Sequence, residues 1–145
     1  MQDLPHHYAV SATGEPQGDV TLATEGVAEL PSAPPVEFGG PGGRWSPESL
    51  LVAAVADCFV LSFRAIARAS KLPWTHLHCA VSGTLDRVDG KTRFTAFQVH
   101  AKLVTPQGVD GDKAVRLLEK AESSCLITNS LSAQTHLTTE VCSAD

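Results

Sequence analysis

Two cysteines are the residues best placed to do chemistry: Cys58, inside "SPESLLVAAVADCFVLSFRAIARAS", and Cys125, inside "AESSCLITNSL". A thiol near the middle of a long apolar helix is packing, a redox centre or a nucleophile. To attack anything it must be thiolate, yet burial in apolar surroundings raises a thiol pKa. Cys58 therefore needs a positive partner if it reacts, and a carboxylate could hold that partner in place. The chain has two further cysteines, Cys79 and Cys142, and no CxxC pair. Such wide spacing does not suit a zinc framework or a secreted disulfide scaffold. In a reducing cytosol the thiols are buried small hydrophobes or reactive groups. A cysteine hydrolase would also need a histidine base, and neither cysteine motif contains one.

The helix that positions Cys58 has strong boundary signals. Ser46 suits the N-cap, Pro47 the first helical position, and Glu48 the positive end of the helix dipole. Residues 46–71 then run apolar on nearly every side, which predicts a helix surrounded by protein. Leu72-Pro73 ends it. Before it, "HHYAVSA" and "DVTLAT" read as short strands joined by "TGEPQG", and a third short strand is possible within "GVAELPSAPPVEFGGPGGRW". After it, "THLHCAVSGTLDRVDGKTRFTAFQVHAKLVTP" reads as a β-hairpin turning at Asp89-Gly90. Alternation puts Leu77, Cys79, Val81 and Leu85 on its core face, so Cys79 is expected to be a packing residue. The other face carries His76, His78 and, on the second strand, His100. No carboxylate or thiolate is placed to complete a metal site with them, so a solvated face is expected and no metal.

A second helix is predicted over residues 112–124, with Ala114, Val115, Leu117, Leu118 and Ala121 as its apolar stripe, and Cys125 just beyond its end. A last strand, "THLTTEV", precedes Cys142, for which no role is expected. The order is ββ(β)-α-ββ-α-β. Strands in adjacent pairs predict largely antiparallel sheets and an α+β fold.

Composition narrows the function classes. A chain of 145 residues suits one domain, taken as residues 1–145, burying about 70% of its unfolded surface. The net charge is −5 without a Lys/Arg cluster, which argues against nucleic acid or an anionic membrane surface as partner. The start "MQDLPHHYAV" shows no signal-peptide pattern. The apolar part of the central helix, broken by Asp57, Arg64 and Arg68, reads as too short to span a bilayer. A cytoplasmic protein is expected.

These motifs resemble the OsmC/Ohr family, the osmotically inducible and organic hydroperoxide resistance proteins. "SPESLLVAAVADCF" is similar to the first family signature and "AESSCLITNSL" to the second. The element order agrees, and "FGGPGG" before the helix resembles many OsmC-like sequences. The resemblance implies an intertwined homodimer with two active sites at the subunit interface. It implies thiol-dependent reduction of organic hydroperoxides, Cys58 attacking and Cys125 resolving, without a cofactor. The attack gives a sulfenic acid, which a second thiol traps as a disulfide before over-oxidation. The reductant would be a thiol, in this family often a lipoyl protein.

Glu48 matches the family carboxylate, ten positions before Cys58. Ten residues of continuous helix separate them by about 15 Å, so the helix breaks or Glu48 serves Cys58 of the other subunit. The family's catalytic arginine has no counterpart. The turn between the first strands offers Glu15, the segment before the helix offers Glu37, and Arg44 or Arg64 are the candidate substitutes. A non-enzymatic OsmC-like module that binds a small apolar ligand, with the cysteines as core residues, is the alternative.

Overall fold

The computed structural model describes residues 1–145, and the chain divides into two compact units, Met1–Leu50 and Leu51–Asp145. The first unit holds a three-stranded antiparallel meander: β1 (Ser11–Thr13), β2 (Val20–Ala23) and β3 (Leu30–Ser32). The third strand is therefore real, and the first is shorter than "HHYAVSA" suggests. Only Ser32, Ala33 and Ser46 are buried among the unit's residues. A short 3-10 turn (Val36–Phe38) follows, closed by Gly39 and Gly40. A Cβ on Gly40 would collide with the Pro34 carbonyl, so the glycine-rich "FGGPGG" reflects a close backbone approach.

Helix α1 (Pro47–Ala69) starts in the first unit and continues into the second. Its start is set by a reciprocal cap. Ser49 N donates to Ser46 Oγ (3.1 Å) and Ser46 N donates to Ser49 Oγ (2.9 Å), which satisfies two otherwise orphaned N–H groups.

The second unit packs α1 and α2 (Gly111–Ser123) against one sheet, β4 (His76–Val88), β5 (Lys91–Thr105) and β6 (Gln134–Ser143), with β5 in the middle. Its core is Val55, Phe59, Phe63 and Ala67 of α1 with Phe97, Val99, Ala101 and Leu103 of β5 and Ala114, Leu118 and Ala121 of α2. Alternation on β5 supplies the sheet side of this core, as period-two patterning requires. Asp110 caps α2 by accepting from Asp112 N (3.0 Å) and Lys113 N (3.3 Å). The β4–β5 hairpin turns at Asp89 and Gly90, both with positive φ (51° and 77°), the geometry that matches strand twist.

Three expectations are corrected. Strand β6 pairs with β5 in parallel, not antiparallel, because β5, α2 and β6 form a crossover unit in which the helix returns the chain to the starting end. The sheet is thus mixed. Leu85 is 37% exposed, because β6 pairs only with residues 96–105 of β5 and the far end of the hairpin lies beyond it. Helix α1 buries one stripe only: Ala53 and Ala54 are half-buried and Leu61 is 49% exposed. Residues spaced by four face a single neighbouring layer, Leu51, Val52 and Ile66 pack at its margin, and the side of Leu61 stays exposed within the second unit. By length and composition α1 is also apolar enough to cross a membrane, since Asp57 is its only charged residue between Ser49 and Phe63. Its buried stripe serves as the core helix of the second unit.

Candidate active site

Cys58 lies next to the buried stripe of α1, half-buried, with Ser62 one helical turn further on; their side chains meet at 3.8 Å. Cys125 reaches the same place from a different element. Helix α2 ends at Ser123, Ser124 stays helical, and Cys125 turns extended (φ −67°, ψ 110°) as the N-cap of the short helix α3 (Leu126–Asn129). Its carbonyl is fixed by Asn129 N (3.0 Å) and the Thr128 hydroxyl (3.2 Å), and its side chain is buried at 2% exposure. The first backbone N–H groups of α3 have no partner within the helix, and those of Leu126 and Ile127 bear on the Cys58 thiol.

The electrostatics of the two thiols diverge. Burial pushes the Cys58 thiol up, but hydrogen bonds from Ile127 N–H, the Cys125 thiol, the Ser62 hydroxyl and Leu126 N–H outweigh it, and its pKa is lowered. Burial pushes the Cys125 thiol up, as does the neighbouring Cys58 in both its hydrogen bond and its charge, against opposing bonds from Thr128. The arrangement suits a thiolate on Cys58 and a protonated, hydrogen-bond-donating thiol on Cys125. Cys58 opens onto a cleft of about 430 Å³ lined by Ala54, Asp57, Leu61, Ser62, Leu126 and Ile127. Within the second unit the groups that lower the Cys58 pKa are neutral donors.

The other sequence candidates fall as follows. Glu48 sits in the first turn of α1 and lines a cavity of the first unit; its Oε2 is enclosed and has no hydrogen-bond partner. Because α1 is unbroken from Pro47 to Ala69, the helix does not bend to bring Glu48 to Cys58. Arg44 does not pair with Glu48: its Nε binds Asp19 Oδ2 at 2.8 Å. Arg64 is an exposed residue of α1. Cys79 is half-buried on the inner face of β4, its thiol pushed up to about 11 by burial and by the charge of Cys125. Cys142 makes a weak contact with the Leu103 carbonyl at 3.8 Å. All four cysteines are free thiols. His76, His78 and His100 are exposed, as expected of the outer sheet face. Glu140 of β6, not anticipated there, lies 4.0 Å from His100 Nε2 and 3.7 Å from Lys102 Nζ, brought across by the parallel pairing. Ser62 and the α3 N–H groups were also missed. The i, i+4 spacing of Cys58 and Ser62 was a usable signal, whereas four residues of helix after a cysteine leave none.

Residues 40–140 match the family described as OsmC-like protein. The chain is 25% identical over 139 residues to the uncharacterized protein YmaD of Bacillus subtilis, covering 93% of each. Its fold is similar to that of an OsmC-like protein from Vibrio cholerae (TM-score 0.84, 17% identity, 94% of this chain and 99% of that one). It is similar also to organic hydroperoxide resistance proteins of Legionella pneumophila (TM-score 0.73, 25% identity, 99% and 100%) and Elizabethkingia anophelis (TM-score 0.77, 22% identity, 99% and 100%). With a matched segment that takes in both cysteine motifs and most of the chain, this protein belongs to the OsmC-like family.

Proposed function

We propose that the chain is a thiol peroxidase that reduces organic hydroperoxides. The Cys58 thiolate attacks the terminal peroxide oxygen; the O–O bond breaks, the alcohol leaves with a proton, and Cys58 becomes a sulfenic acid. Cys125 then attacks the sulfenic sulfur, water leaves, and a Cys58–Cys125 disulfide forms. An external dithiol, in this family often a lipoyl protein, returns both thiols by exchange. The observation that carries this reading is the meeting of Cys58 with Cys125 and the Leu126 and Ile127 N–H donors beside an apolar cleft, an arrangement that lowers one thiol pKa while the other is raised. Ala54, Leu61, Leu126 and Ile127 give the cleft an apolar lining suited to alkyl hydroperoxides over hydrogen peroxide.

The working molecule is an intertwined homodimer in the cytoplasm, each chain forming one OsmC-like domain. Support comes from the half-covered circumference of α1 and from a first unit with three buried residues, too few for a core of its own. Glu48 of one copy then serves the thiol site of the other. Peroxide consumption with dihydrolipoamide tests the activity. Cumene hydroperoxide should be turned over with a kcat/KM at least about tenfold above that of hydrogen peroxide. Absence of turnover favours the module that binds an apolar ligand without chemistry.

A further inference from the structure

The cleft over Cys58 is walled by Ala54, Leu61, Ser62, Leu126 and Ile127, and Asp57 is the one charged residue in its lining. Helix geometry explains the placement. Asp57 and Leu61 are four apart, so they share one face of α1, beside the cysteine that follows Asp57 in the chain. Asp57 is exposed, and the chain's ion pairs leave it out: they join Arg44 to Asp19 and Glu140 to His100 and Lys102. The first basic residue further along α1 is Arg64, about two turns on and outside the cleft lining. A reacting Cys58 is itself an anion, held by neutral donors. An anion entering the cleft therefore meets two negative charges and, in the lining, no positive one. The first unit that a second copy would add is acidic as well. Residues 1–50 carry seven Asp and Glu and a single basic residue, Arg44, which already binds Asp19.

We propose that Asp57 makes the thiol cleft charge-selective, favouring uncharged molecules over anionic ones. Applied to the peroxidase, a reading on which this part rests, the substrates are uncharged organic hydroperoxides, and those bearing a carboxylate are disfavoured. The device is repulsion rather than shape, so it acts on approach and is screened by salt. Because the cleft is open to water, the effect is modest, about threefold to tenfold in rate.

Alkylation of Cys58 in the reduced full chain, followed by peptide mapping, tests the charge effect without any turnover. Iodoacetamide and iodoacetate react alike, the thiolate displacing iodide from carbon, and differ by the carboxylate. The thiolate fraction cancels in the ratio of the two rates, so a change in the Cys58 pKa does not disturb it. Asp57→Asn should lower the ratio of iodoacetamide to iodoacetate rates by at least about threefold at low salt. High salt should bring the wild-type ratio toward that of the variant. Glu119→Gln makes the same charge change on an exposed residue of α2 outside the cleft, and should leave the ratio within about twofold. Cumene hydroperoxide and its para-carboxylate carry the test to turnover. The kcat/KM should favour the uncharged substrate, and that preference should shrink at least about threefold in Asp57→Asn. An alkylation ratio unchanged in Asp57→Asn, or lowered equally by Glu119→Gln, overturns the proposal, as does a turnover preference undiminished in Asp57→Asn. A ratio that shifts as expected while neither hydroperoxide is consumed strikes the peroxidase reading alone.

Discussion

Cys58 and Cys125 sit in environments that shift their thiols in opposite directions, and the difference yields measurable consequences. A thiol reacts through its thiolate, so the rate of Cys58 alkylation by iodoacetamide rises with pH and levels off above its pKa. Because that pKa is lowered in the fold, the rise should be half complete at a lower pH than for the same thiol in the urea-unfolded chain. A profile at or above that of the unfolded chain would mean the α3 N–H groups and Ser62 do not stabilise the anion. Cys125→Ser should leave the first attack intact and allow one stoichiometric turnover in stopped flow, after which the sulfenic acid over-oxidises or pairs with an external thiol. Full catalytic cycling in that variant would remove the resolving role. Cys79→Ser should retain turnover while lowering stability by about 1–3 kcal/mol, because it places a hydroxyl against the core. At this scale the sequence was informative about residue type and blind to contact. The two cysteine motifs and the packing place of Cys79 were readable from motif and alternation, whereas the meeting of Cys58 and Cys125 was not. The backbone N–H groups of Leu126 and Ile127, which lower the Cys58 pKa, are encoded by no side-chain pattern.

Elements with strong end signals were legible, and those defined by tertiary pairing were not. Ser46, Pro47 and Glu48 announce α1, and Asp89-Gly90 announces the hairpin turn, because caps and turns are set by local chemistry. Ser49, which completes the cap of α1, follows the S-x-x-E/Q spacing with a different polar residue and was overlooked. Strand β6 carries the same alternation whether its neighbour runs with it or against it, so its parallel pairing with β5 could not be read from residues 134–143. The stripe spaced by four on α1 carries most of the core contact from that helix. Phe63 is fully buried and its ring meets Trp74 edge-on at 5.5 Å, so Phe63→Ala should cost about 3–5 kcal/mol in urea unfolding. Ser46→Ala removes the cap oxygen and should cost about 1 kcal/mol by the same measurement. If the two variants were equally destabilised, the stripe would not be the dominant packing face.

On the scale of the whole molecule, two compact units are joined by a helix that is apolar on more sides than the second unit covers. The sequence announced that excess of apolar surface, but the pattern of one chain cannot say what covers it. The proposed homodimer would cover the half-exposed α1 and complete the first unit. Light scattering at micromolar concentration should therefore give twice the mass of one chain, 15.3 kDa. A monomer would leave Leu61 and its neighbours without cover and count against the shared site. The reaction itself can be read most directly from the thiols after a single exposure to substrate. The reduced protein is given one equivalent of cumene hydroperoxide, its remaining thiols are alkylated, and its peptides are mapped by mass spectrometry. The predicted result is the Cys58 and Cys125 peptides joined, lighter than their sum by two hydrogen atoms, with Cys79 and Cys142 alkylated. Recovery of Cys58 and Cys125 as free thiols, with the hydroperoxide unconsumed, would contradict the peroxidase assignment.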